Sequence, residues 1–148
     1  MINPADSIRF TNVVSKKYRF HYENINDIIK LFLEEVVQHN INIKGPLFYS
    51  INNVPMDEMV NAEFFMPIVE DTIDEKNDMY IHSYYAIEDM VSICLYNQLE
   101  KNTEIAYHML LDYMNQHQLN QATPFYHVIS GDETLQYVFI KVGASKLA

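Results

Sequence analysis

Eleven tyrosines and eight phenylalanines, with no tryptophan, are the residues of this chain best suited to holding another molecule. Tyrosine offers a large rigid surface with one polar handle, which suits pockets and interfaces. Tyr49, Phe65, Tyr84, Tyr96, Tyr126 and Tyr137 form the candidate aromatic surface. If it is concave, it favours an apolar or cationic small molecule. If it is flat, it favours a protein partner or a second copy of the chain. Equally, half of these tyrosines read as core residues with only the hydroxyl at the surface. Glu63 adds a charge beside Phe64 and Phe65. Turned into a cleft, its carboxylate would pair with a cation. Turned outward or partly exposed, which is the expectation, it is an ordinary strand carboxylate.

Other chemistry finds little support. The six histidines show no metal-binding spacing, so no metal site is expected, and no cofactor. Ser15, Ser50, Ser83, Ser92 and Ser130 lie in no nucleophile elbow. Three glycines cannot build a phosphate-cradling loop. The pair Glu88–Asp89 reads as a bulge or turn, not as two opposed catalytic carboxylates. The expectation is a protein that is not an enzyme.

The bulk properties narrow the classes further. A 148-residue chain with 49% hydrophobic and 20% charged residues has the composition of one globular domain. Its net charge of −10 repels phosphate backbones, so no nucleic-acid binding is expected. No apolar run is long enough to span a bilayer. The N-terminus lacks the features of a secretory signal, and Cys94 is alone, reading as a buried small hydrophobe in a reducing compartment. These readings point to the cytoplasm.

The elements that must position the aromatic surface form a weak repeat. Gly45-Pro46-Leu47-Phe48-Tyr49 and Thr123-Pro124-Phe125-Tyr126 each follow a helical pattern, which itself follows a strand. The first strand spans Ser7 to Phe20. Helix one starts at Asn24, with Ile25, Ile28, Ile29, Phe32, Leu33, Val36 and Val37 as its apolar face. Glu34, Glu35, Lys30 and Gln38 fall mostly on the other side. Strands follow at Leu47–Ile51 and Met59–Val69, with Pro67 marking an edge or an end. The acidic stretch from Glu70 to Asp78 is expected to be an exposed, mobile connector. A long bent strand, interrupted at Glu88–Asp89, runs from Met79 to Gln98. Helix two is capped at Asn102 or Thr103, with Ile105, Ala106, Met109, Leu110, Tyr113 and Met114 inward. Strands at Phe125–Ile129 and Leu135–Val142 close the chain, leaving a loose tail from Gly143. The fold class is therefore α+β: a duplicated strand-helix-strand-strand unit over about residues 7–70 and 79–142, pseudo-two-fold. Both helices pack on one face of an antiparallel sheet.

That order resembles the GyrI-like, bacterial effector-binding (SOUL-related) superfamily. Lys44-Gly45-Pro46-Leu47-Phe48-Tyr49 is similar to the family's Gly-Pro and aromatic strand. Ala62-Glu63-Phe64-Phe65-Met66-Pro67-Ile68 is similar to its acidic residue and following strand, and the segment from Ile105 to Met114 to its second helix. The resemblance implies a cleft between the halves that binds small hydrophobic, often cationic effectors, helped by a glutamate in the second half. Here Glu133 only approximates that acid, from a turn. With no helix-turn-helix ahead of the domain, a one-chain transcription activator is not expected. Short acidic chains of this type resemble proteins encoded near type VII secretion loci. The first functional expectation is therefore a protein-interaction module, an adaptor or chaperone-like partner of a secreted toxin. The alternative is a small-molecule effector-binding domain.

Overall fold

The computed structural model describes residues 1–53, 58–97, 99–132 and 134–146. Among them are six strands and two α-helices: β1 (Ile2–His21), α1 (Ile25–Gln38), β2 (Phe48–Ile51), β3 (Met59–Pro67), β4 (Tyr80–Leu95), α2 (Leu99–Gln116), β5 (Leu119–Gly131) and β6 (Gln136–Lys146). The class is α+β and the strand pairing is antiparallel, as expected. The chain divides into two units: Arg9–Tyr85, and Met1–Ile8 together with the residues from Ala86 onward. No helix is long and apolar enough to cross a membrane.

In the Arg9–Tyr85 unit, β3 lies between β1 and β2. Its register runs from Val13↔Pro67 to His21↔Met59 on one side, and from Phe48↔Phe65 to Ile51↔Ala62 on the other. Pro67 thus marks the end of β3, not an edge. Side chains alternate across a strand, so directly paired residues share a face. Lys16, Tyr18, Tyr49 and Phe64 share the face beneath α1, where Phe32 meets Tyr18 and Phe64 at 6.3 and 5.8 Å between ring centres. Ser15, Glu63, Phe65, Phe48 and Ser50 take the opposite, helix-distal face.

Burial corrects the reading of α1. Phe32 and Val36 are buried, but Val37 is exposed, while Glu35 turns inward to accept a hydrogen bond from the Lys16 ammonium. The helix stripe is narrower than the apolar residues suggest, because a single three-stranded ladder covers only part of a helix. The acidic stretch after Glu70 is largely exposed but pinned. The Glu70 carboxylate accepts from the Asn42 backbone and side-chain amides at 2.8 Å each, and Glu75 accepts from the Ile81 amide at 3.0 Å.

In the other unit, β6 lies between β4 and β5, and α2 packs on it through Ala106, Leu110 and Met114 against Val91, Ile93, Val138, Ile140 and Val142. Three expectations change here. The helix begins at Leu99, ahead of Asn102 and Thr103. The Thr103 hydroxyl instead donates to the Leu99 carbonyl one turn back, so its side chain serves inside the helix and not at its cap. Ile105 and Met109 are exposed. Finally, the residues from Gly143 are not a tail: β6 continues to Lys146, paired with Leu119. The Gly143 amide donates to Thr123 Oγ1 at 2.8 Å, and a Cβ there would stand 2.7 Å from Thr123 Cγ2. Glycine leaves room for the Thr123 side chain against this backbone. The bend expected at Glu88–Asp89 is present within one continuous β4, with Asp89 at φ 55°. Cys94 is half-buried, not buried.

Candidate functional site

The helix-distal face of the Arg9–Tyr85 unit carries the densest aromatic group away from a helix. Phe48 and Phe65 stack at 4.7 Å, 7° from parallel. Tyr85 contacts both rings, at 5.7 and 4.7 Å, and Phe10 stacks on Phe48 at 5.4 Å. His82 abuts Phe65 and Tyr85, and its Nε2 is hydrogen-bonded to the buried Ser15 hydroxyl at 2.8 Å. Glu63 stands one register row from this stack, between Lys17 and Ser50, and is half-buried. This face therefore gathers buried Phe48 and Phe65 under the half-buried Tyr85, a hydroxyl–imidazole pair, and one carboxylate paired in register with Lys17.

The sequence-derived residues do not form a single group. Phe65 and Glu63 share this face. Tyr49 lies on the opposite one, stacked on Phe64 at 5.1 Å, where burial raises its phenol to about 12. Tyr84 is exposed. In the other unit, Tyr137 and Tyr96 approach at 6.1 Å, and Tyr126 is buried opposite Lys141 in the register. Glu133 lies outside the described residues. Ser15 and His82 were not paired by sequence reasoning. They are 67 positions apart, and their strands have no shared motif.

On the helix-distal face of the second unit the charge is already matched. Asp6 accepts from the Ser92 hydroxyl at 2.6 Å, the Ser7 amide at 2.7 Å and the Lys141 ammonium at 3.2 Å. Burial alone would raise this carboxyl. The bonds from Ser92 and Ser7 and the charge of Lys141 outweigh it and hold Asp6 below its ordinary value. Lys141 also lies over the Phe139 ring at 5.5 Å. Beneath α2, the Tyr107 hydroxyl and His127 Nε2 are hydrogen-bonded at 2.5 Å, and burial lowers that imidazole to about 4, so it is neutral. Among the described residues no group of His, Cys, Asp and Glu is arranged to hold a metal ion.

The chain belongs to the family described as Domain of unknown function (DUF5085), whose model matches residues 9–146. No curated protein matches it significantly. Its fold is similar to EcmrR in a complex with DNA, with a TM-score of 0.73 and 12% identity over 99% of this chain. The match spans 58% of that chain's length. The EcmrR C-terminal domain is similar at a TM-score of 0.68 and 12% identity, covering 97% of this chain and 98% of that one. SAV2435 bound to tetraphenylphosphonium is similar at 0.53 and 12% identity, over 93% of each chain. At such identities the likeness is one of fold.

Proposed function

Taking membership of that family as the premise, we propose that this chain is a small-molecule-binding domain that holds a lipophilic organic cation without turning it over. The observation that carries this reading is the half-buried Glu63 beside the Phe48–Phe65–Tyr85 rings, on a sheet face that no helix of its unit covers. Aromatic faces attract a desolvated cation, and the carboxylate supplies the counter-charge. SAV2435, which shares the fold, was solved with such a cation, and this supports the choice of ligand. The order β1-α1-β2-β3 followed by β4-α2-β5-β6 supports reading the chain as a duplicated unit with pseudo-two-fold symmetry. Asp6 is already paired with Lys141, which leaves Glu63 as the working acid. The adaptor reading has no observation in its favour.

Calorimetric titration with tetraphenylphosphonium tests this. Saturable binding is expected, weakened about tenfold by Glu63→Gln, the loss of roughly one charge-assisted contact. Neutral triphenylphosphine oxide should bind wild type and variant alike. Absence of saturable binding by the cation, or an unchanged affinity in Glu63→Gln, would overturn the proposal.

A further inference from the structure

The chain has twice as many acids as bases, 20 against 10. A cavity of about 510 Å³ in the Arg9–Tyr85 unit reflects this, with Glu34, Glu35 and Asp78 in its wall. A second cavity in the same unit, of about 270 Å³, does not. Arg9 and Lys44 line it together with Phe10, Thr11 and Tyr84, and none of its lining residues is acidic.

Local structure fixes this arrangement. β1 supplies Arg9, Phe10 and Thr11 in succession. The Lys44 and Gly45 amides both donate to the Pro67 carbonyl, at 2.8 and 3.1 Å, which pins the loop before β2 to the end of β3. Gly45 adopts φ +69°, a conformation glycine takes freely, so the loop turns back at the cavity. The Phe10 ring is held by its stack on Phe48. Tyr84, on β4, is 60% exposed and presents its ring and hydroxyl.

We propose that this cavity is a second ligand site, taking a small single-ring aromatic carboxylate. The Phe10 and Tyr84 rings accept a flat apolar body. Arg9 and Lys44 place two positive charges in the cavity wall, which favours a carboxylate, with the Lys44 ammonium as its point-charge contact. The volume, at the small end of ligand pockets, selects one ring over two. The site meets the ring group beside Glu63 only through Phe10 and is opposite in charge preference.

The test is an NMR titration of the full chain at low salt, with benzoate as the probe. Saturable shifts are expected at Arg9, Thr11 and Lys44. Lys44→Met and Arg9→Gln should each weaken binding about five- to tenfold, and Tyr84→Ala about threefold. Raising the salt should weaken binding, as for exposed charges. Benzamide, benzamidine and acetate should each bind at least tenfold more weakly than benzoate. Glu63→Gln should leave benzoate binding unchanged, which separates this site from the cation site. Arg9, Lys44 and Tyr84 sit at the surface, and a circular-dichroism melt confirms that each variant is folded. The proposal is overturned if benzoate gives no saturable shift, if acetate or benzamide binds equally well, or if the folded variants bind like the wild type.

Discussion

In each unit a lysine–carboxylate pair is sunk to a similar depth, but on opposite faces of the ladder. Lys16 and Glu35 retain 17% and 19% side-chain exposure beneath α1. Lys141 and Asp6 retain 13% and 20% on the face away from α2. The difference is one of strand parity. Lys16 pairs with Phe64, which touches the helix, whereas Lys141 sits between Ile140 and Val142, which do. A shift of one residue moves a side chain through the sheet. As a result the first unit buries the Lys16 ammonium under the helix and keeps Glu63, opposite the exposed Lys17 in the register, on the face of the rings. The second places its ammonium on the face where a ligand-pairing acid would have to stand. Between these two faces, a cationic ligand should prefer the first.

The comparison breaks most visibly in the cores. Phe64 touches Tyr18, Phe20, Phe32 and Tyr49, so Phe64→Ala should cost about 3–5 kcal/mol in urea unfolding. Leu110→Ala, under α2, should cost about 2–5 kcal/mol, since one aliphatic side chain is lost in place of an aromatic hub.

The next effect is confined to the second unit. His127 has a folded pKa of about 4 against an ordinary 6.5. The unfolded chain therefore binds this proton first as pH falls, so stability is full above 6.5 and declines between 6.5 and about 4. The loss should approach about 3 kcal/mol, and His127→Gln should flatten that stretch of the stability–pH curve.

Lys141→Met should cost about 1–3 kcal/mol, because it strands the Asp6 carboxylate, and adding Asp6→Asn should recover most of it. Asp6 is held below its ordinary 3.8, so its contribution is complete above that pH and is lost as pH falls below it. Acid titration of the folded chain by NMR would locate that step, which Lys141→Met should move upward. Smallest of all, Val37→Lys and Ile105→Lys should each change stability by no more than about 0.5 kcal/mol, since both side chains face solvent. A larger loss would mean that a partner or a further contact covers them.

Much of the fold was legible in local patterns. The order of strands and helices, the inward Phe32, Val36, Ala106, Leu110 and Met114, and the bend at Asp89 follow from apolar periodicity and residue type. The ends were less so. Polar Asn120, Gln121 and Ser145 carry little strand signal, yet ladder pairing with a neighbour holds them in β5 and β6. Val37, Ile105 and Met109 looked internal because helical spacing specifies a stripe but not how much of it a sheet will cover.

By itself the sequence determined the acidic, aromatic composition, the α+β class and which segments are strands or helices, because propensity and periodicity act over a few residues. Only the tertiary structure decided the sites. Register put Tyr49 and Phe65 on opposite faces, joined Ser15 to His82 and gave Lys141 to Asp6. It gathered Arg9, Lys44 and Tyr84 around one cavity. Those contacts join residues far apart in the chain, and strand pairing, which no local pattern encodes, selects them.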